Sequence, residues 1–219
     1  VPDPAVEVWL VSLDADSLHS PQCSMLLSHD EQVRAARFQF SRDRHRYAVA
    51  RGMLRVLLGN YLGVAPAGVA LESGQHGKPM LADPSSHVQF NLSHSGDRAI
   101  CAIARNCAVG VDIEHLDRAV DHESLAWRFF SAREYAELQL IPDADRKCAF
   151  LTCWTRKEAV AKATGQGLRL PLNQIEVTVA PAASPQLLNV PDGDAGAWTL
   201  HSIDAGHDYV ATLALRRPA

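Results

Sequence analysis

The chain of 219 residues has no apolar run near the ~18 residues that a membrane span needs. Its mean hydropathy of −0.09 likewise argues against a membrane protein. It has no excess of basic charge. Against 25 Asp and Glu stand 21 Lys and Arg, for a net charge of −4, which argues against nucleic-acid binding. No two of the cysteines Cys23, Cys101, Cys107, Cys148 and Cys153 form a C-x-x-C pair, so thiolate-metal and thioredoxin-type chemistry lack their spacing. Their odd number suggests reduced thiols in a cytoplasmic protein. The opening Val1-Pro2-Asp3-Pro4 has neither the basic end nor the apolar stretch of a signal peptide. With 47% hydrophobic and only 21% charged residues, the chain is not disordered. It is long enough for one large domain or two of about 110 residues.

What is present looks duplicated. Sliding the chain until Ser28 falls on Ser131 also places Leu13-Asp14 on Leu116-Asp117, Glu31 on Glu134 and Tyr47 on Phe150. Near the ends a longer shift places Gly96 on Gly206 and Ala104 on Ala214. Each half then reads strand, acidic helix start, helix, strand, strand. Val6 to Val11 has the pattern of a strand. Ser28 stands three residues before Glu31, as in a capping box. Ser41 opens a long helix that Gly63 stops. Val69–Leu71, Val88–Leu92 and Ala99–Ala104 read as short strands. In the second half Val109–Ile113 is a strand, Ser131 caps a helix through Leu138, and Arg146–Thr164 is a helix ending at Gly165. Ile175–Val179 and Tyr209–Leu215 are strands, and Pro181 to Gly196 reads as a loop. The expected fold is α+β, a pseudo-dimer of two similar halves, 1–105 and 106–219, each a small sheet on helices.

Several residues could carry chemistry. Asp112 and Glu114, two apart on a strand, share one face, and paired carboxylates suit Mg²⁺; a solvated strand end is the plainer alternative. Trp154, Glu158 and Lys162 lie one helical turn apart. Glu158 could complete a three-carboxylate site and Lys162 could neutralise a phosphate. The alternative is a surface Glu–Lys pair contributing ~0.3–0.5 kcal/mol. Phe90 to Gly96 reads as a strand leading into a turn, where Ser93, His94 and amides near Gly96 could hold an anion. Gly77-Lys78-Pro79 is a tight turn with one projecting cation.

Together these segments form ordered motifs: Gly77-Lys78-Pro79, Phe90 to Ser95, Val109 to Glu114, Phe129 to Glu134 and Trp154 to Lys162. In this order they resemble the motifs of the Sfp-type (surfactin-type) 4′-phosphopantetheinyl transferases. The likeness extends upstream to Arg37-Phe38 and His45-Arg46, and downstream to Gly167 through Leu172. It implies a monomeric pseudo-dimer with coenzyme A in the cleft between the halves, the first half binding the coenzyme and the second holding the metal. The implied reaction is transfer of phosphopantetheine from coenzyme A to a serine of an apo acyl or peptidyl carrier protein, with release of adenosine 3′,5′-bisphosphate. Asp112, Glu114 and Glu158 match the Mg²⁺ ligands, with Mn²⁺ able to substitute. Arg46, Lys78, Ser93 and His94 match coenzyme contacts, as do Asp112, Glu158 and Lys162 around the pyrophosphate. Glu158 is the candidate base, directly or through a water on the metal, and Lys162 would serve the departing bisphosphate. Arg34 matches a lysine for the 3′-phosphate, but Glu31 stands where a second lysine is expected. A catalytically degenerate carrier-binding module is the alternative, and three retained carboxylates with a lysine argue against it. The family's carriers present an acidic helix, so docking is expected on Ala126 to Phe130, with Arg133 and Arg146 adding positive charge.

Overall fold

The structure is a computed structural model and describes residues 6–14, 20–74, 78–165, 170–191 and 193–217. Gly77 and the Gly167-Leu168-Arg169 run lie outside the described residues. The first half runs β1 (Val6–Ser12), α1 (Ser20–Met25), α2 (His29–Ala36), α3 (Ser41–Leu62), β2 (Leu71–Ser73), β3 (Pro79–Leu81), β4 (Val88–Ser95) and β5 (Arg98–Arg105). The second runs β6 (Ala108–His115), α4 (His122–Phe129), α5 (Ala132–Gln139), α6 (Asp143–Thr164), β7 (Glu176–Val177), β8 (Leu187–Asn189), β9 (Trp198–Ser202) and β10 (Tyr209–Arg216). Two antiparallel sheets have matching orders, β1-β5-β4 and β6-β10-β9. In each, the half's first strand pairs with its last, and α3 and α6 both span 22 residues.

Strand alternation sets the layers. Ile100, Ala102 and Ala104 of β5 meet Val109, Val111 and Ile113 of β6 in a core between the two sheets. The opposite face of β5, Cys101 and Ile103, packs on Leu54, Leu57 and Leu58 of α3. In β6 the opposite face carries Gly110, Asp112 and Glu114 toward α6. The order is therefore helix, sheet, sheet, helix, with both β5 and β6 buried on two faces. This is the α+β pseudo-dimer that the sequence pattern predicts.

The two halves terminate their elements by the same chemistry. Ser28 and Ser131 each accept the amide of a glutamate three residues on, and Glu31 and Glu134 reach back to the serine amides at 2.9 and 2.8 Å. Gly63 and Gly165 close the long helices at φ of 69° and 73°, a conformation that costs a residue with a Cβ. The pairing of Ala104 with Ala214 is off by one. Ala104 faces the core between the sheets while Ala214 packs on the α6 side, so Leu215 is the counterpart of Ala104.

Other expectations change locally. A 3₁₀ turn at Pro66–Gly68 ties the Val69 amide to Pro66, so β2 begins only at Leu71. The strand expected over Ile175–Val179 is two residues long. The presumed loop from Pro181 to Gly196 contains β8, which pairs with β7. The short elements α1, α4, β3 and β9 had no reading of their own. Strand β4 runs on to Ser95, so Ser93 and His94 sit in a strand rather than a turn. The Asp97 amide after Gly96 donates to the Tyr209 hydroxyl at 3.2 Å, and a Cβ on Gly96 would lie 2.6 Å from that oxygen. Tyr209 therefore fills the place proposed for an anion.

Strand β6 leans directly on the helix behind it. A Cβ on Gly110 would overlap the Ala159 carbonyl oxygen and lie 2.6 Å from the Ala163 nitrogen. Backbone cannot yield as a side chain can, so Gly110→Ala should lower stability by ~1–3 kcal/mol or more. Thermal unfolding of the variant, with a midpoint well below the parent's, checks this.

Candidate active site

The functional side chains gather where β6 runs beside β4 in the same direction. These strands belong to different sheets, and side chains join them. The Val111 amide donates to Asn91 Oδ1 at 2.8 Å, and the His115 amide donates to Ser95 Oγ at 3.1 Å. Between these, the Ser93 hydroxyl donates to Asp112 Oδ1 at 2.8 Å and the Ser95 hydroxyl to Glu114 Oε2 at 2.9 Å. First-half hydroxyls thus hold second-half carboxylates.

Cations complete the cluster. Lys162 Nζ donates to Asp112 Oδ1 at 2.6 Å and to Ser93 Oγ at 2.9 Å. Its ion pair is therefore with the β6 carboxylate, one helix turn beyond Glu158. Arg118 pairs with Glu114. Burial pushes the Glu114 carboxyl above the usual range, and the Asp112 charge adds to it. Burial raises Glu158 too, with Asp112 and Glu114 contributing. Crowded, desolvated carboxylates need positive charge.

The expected ligands Asp112, Glu114 and Glu158 thus come together electrostatically. Among the described residues, however, no group of three His, Cys, Asp or Glu is arranged to hold a metal ion; Asp112 and Glu114 are each held by a side-chain cation. One observation nevertheless fits a divalent cation. Asp112 Oδ2 is buried without a hydrogen-bond partner, and the donors around it are hard oxygens of the kind Mg²⁺ takes.

The first half contributes a cleft of about 570 Å³ lined by Ser28, Arg34, Tyr47, Arg51, Leu71, Pro79 and His94, among others. His94 is one of its lining residues. Burial lowers the pKa of the imidazole, and the charge of Lys162 lowers it further. Lys78 Nζ donates to the Lys162 carbonyl at 2.6 Å, near the C-terminal end of α6. Arg46 is held by the Asp14 carboxylate. Of the expected coenzyme contacts, then, His94 lines the cleft, Lys78 and Ser93 meet Lys162, and Arg46 is engaged by Asp14.

Arg34 lies over the Tyr47 ring, 5.9 Å from its centroid. Glu31 points inward. It caps α2 and accepts from Arg51 Nε at 2.8 Å and Arg55 Nε at 2.6 Å. Burial opposes its ionisation, but the Ser28 amide and the two arginines outweigh this and hold it below the usual range. Its departure from lysine is therefore structural. Arg51 and Tyr47 line the cleft without belonging to any motif; only their spacing on one face of α3 could have signalled them.

Comparison with known proteins decides the family. Residues 108–214 match the 4′-phosphopantetheinyl transferase superfamily, and residues 18–106 match the 4′-phosphopantetheinyl transferase N-terminal family. The chain is 39% identical over 212 residues to the 4′-phosphopantetheinyl transferase HetI of Nostoc sp., covering 96% of this chain and 87% of that protein. The chain belongs to the 4′-phosphopantetheinyl transferase superfamily. A 4′-phosphopantetheinyl transferase of Bacillus subtilis is 30% identical over 193 residues, covering 88% of this chain and 83% of its own length. Sfp of Bacillus subtilis is 29% identical over 191 residues, 86% and 82% of the two chains. The protein is thus an Sfp-type phosphopantetheinyl transferase. Among the described residues no helix of the transferase is long and apolar enough to cross a membrane.

Burial, with Lys162 nearby, lowers the pKa of Lys78 to about 8. Between pH 8 and the ordinary lysine range the unfolded transferase keeps a proton that the folded one releases, so stability rises with pH there. Lys78→Met should flatten that rise, by on the order of 1–3 kcal/mol. Urea midpoints of both proteins at pH 7.5 and about pH 10 measure it; parallel changes in the two would contradict it.

Proposed function

We propose that this transferase takes phosphopantetheine from coenzyme A, with Mg²⁺ as its metal, and places it on the serine of an apo acyl or peptidyl carrier protein. The observation that carries this reading is the unsatisfied, buried Asp112 Oδ2 beside Glu114 and Glu158. Asp112, Glu114 and Glu158 would hold the ion, with Mn²⁺ able to substitute; bound there, it would withdraw charge from the pyrophosphate and orient the leaving group. The first-half cleft would take the nucleotide. His94 would donate a hydrogen bond to a phosphate, Lys78 and Arg34 would supply positive charge, and Arg46 would join them on leaving Asp14. That division of labour matches halves of 1–105 and 106–219 working as one monomer.

In the reaction the serine oxygen bonds to the phosphorus that carries pantetheine, while the pyrophosphate P–O bond breaks and adenosine 3′,5′-bisphosphate leaves. Glu158 takes the serine proton. Its raised pKa makes it a stronger base than an exposed carboxylate. Lys162, released from Asp112, would neutralise the departing phosphate, which is the main task when a phosphoryl group moves. The degenerate carrier-binding alternative predicts complex formation without transfer. Incubation with coenzyme A, Mg²⁺ and an apo carrier distinguishes them: the carrier should gain the mass of one phosphopantetheine. Asp112→Ala or Glu158→Ala should lower turnover by two orders of magnitude or more (on the order of 10² for loss of such a group) while leaving the fold intact. Transfer that persists in excess chelator would overturn the metal assignment.

For the carrier, the surface on α4 is narrower than its composition implies. Ala126 and Phe130 are buried. Arg133 is paired with Glu137 and Arg146 with Asp143, so neither adds net charge. Trp127, 75% exposed, and Arg128, stacked 5.0 Å over the Phe129 ring, remain available. Phe129 meets Trp154 edge-on at 5.7 Å, one turn before Glu158, so this face is continuous with the catalytic cluster. Arg128→Glu should raise the KM for carrier several-fold, less so at high salt, without changing that for coenzyme A. Unaltered carrier kinetics would place docking elsewhere.

A further inference from the structure

Glu114 is held from two sides that differ in kind. On one side is Arg118, whose side chain is 46% exposed and long enough to swing away. On the other is Ser95, at the end of β4 in the opposite half of the molecule. Its hydroxyl has one proton to give. The oxygen already accepts the His115 amide at 3.1 Å, which leaves that proton directed at Glu114 Oε2, 2.9 Å away. The position of Ser95 is itself fixed. Two residues earlier, Ser93 bonds to Asp112, and two before that, Asn91 accepts the Val111 amide. Successive same-face side chains of β4 thus grip successive positions of β6. They replace the backbone ladder that the two strands lack, and no slip of one residue satisfies all of them.

We infer that Ser95 is a positioning residue: it orients the Glu114 carboxylate for a divalent cation from across the boundary between the halves. The inference rests on the reading of Asp112, Glu114 and Glu158 as metal ligands. Arg118 can leave when a cation arrives, whereas Ser95 stays, because its second bond is to backbone. By holding Oε2, the hydroxyl lowers the cost of ordering Glu114 and would leave Oε1, which Arg118 now holds, for a cation. Loss of such an outer partner weakens metal binding by ~10–100-fold.

The test uses the full chain with Mn²⁺ alone, without coenzyme or carrier, reading free Mn²⁺ by electron paramagnetic resonance. The parent protein, Asp112→Asn, Ser95→Thr and Ser95→Val are titrated side by side. Threonine and valine have the same shape and differ only in the hydroxyl, so a packing defect affects both alike, and melting curves confirm that each is folded. Ser95→Thr should bind within about threefold of the parent, and Ser95→Val ~10–100-fold more weakly. Equal affinity in the threonine and valine variants, with binding lost in Asp112→Asn, overturns the role of Ser95 and leaves the metal site standing. Equal binding by the parent and Asp112→Asn overturns the metal site itself, and the inference with it.

Discussion

The boundary between β4 and β6 is built from side chains where a sheet would use backbone, and the site depends on that choice. A backbone ladder would have satisfied the strands and left their side chains free. Here Asn91, Ser93 and Ser95 are committed to β6, and they are the reason buried carboxylates can exist on that strand. Asp112 and Glu114 are 4% and 6% exposed, a placement that is strongly unfavourable for unpaired charge. Hydroxyls from one half and ammonium and guanidinium groups from the other compensate. The cluster forms only when both halves are in place, so the fold and the site are assembled by the same contacts.

Duplication explains the framework, and its failure at particular positions explains why one site results. With the capping boxes aligned, Val109 and Val111 fall on Val6 and Val8, and all four pack in the core between the sheets, whereas Ile113 falls on the exposed Leu10. Asp112 and Glu114 then fall on Trp9 and Val11. With the ends of the long helices aligned, Glu158 falls on Val56 and Lys162 on Asn60. The first half therefore has the scaffold of the second without its carboxylates. Its own long helix presents Arg51 to a cleft that Arg34 of α2 also lines. Each half retains a buried glutamate at the start of its second helix, Glu31 of α2 with Arg51 and Arg55, Glu134 of α5 with Lys157, because that contact ties the second helix to the long one in both.

Much of this was legible beforehand, for identifiable reasons. Capping boxes and helix-stopping glycines act within a few residues, so Ser28, Ser131, Gly63 and Gly165 announced their elements. The motifs placed Asp112, Glu114, Glu158, Lys78, Ser93, His94 and Lys162 near one boundary. What was hidden depends on distant partners. β7 and β8 are too short to show a period and exist because they pair with each other. The turn at Gly96 looked open because Tyr209, which fills it, lies in the other half. Spacing alone could not separate Lys162 from a surface partner of Glu158, because the approach of β6 to α6 leaves no mark beyond Gly110. Arg51 and Ser95 gain their roles only from what stands opposite them.

The direction of Glu158 follows from its neighbours in sequence. Four successive helical residues, about 100° apart, sample the whole circumference of α6, and three of them are tied down. Thr155 shares a hydrogen bond with Thr212 of β10 at 3.1 Å. Arg156, fully buried, spreads its guanidinium over the carbonyl oxygens of Thr178 at 2.7 Å and Ala183 at 3.0 Å. Lys157, equally buried, is bonded to Glu134 and to the Ile175 carbonyl at 2.5 Å. With a strand, a loop and a helix each holding one side, α6 cannot rotate about its axis. Glu158 is left facing the carboxylates of β6, and Lys162, one turn on, reaches the same place. Two buried cations in this helix are costly as isolated groups; their hydrogen bonds offset that cost, and what the arrangement secures is the angle at which Glu158 and Lys162 meet the boundary.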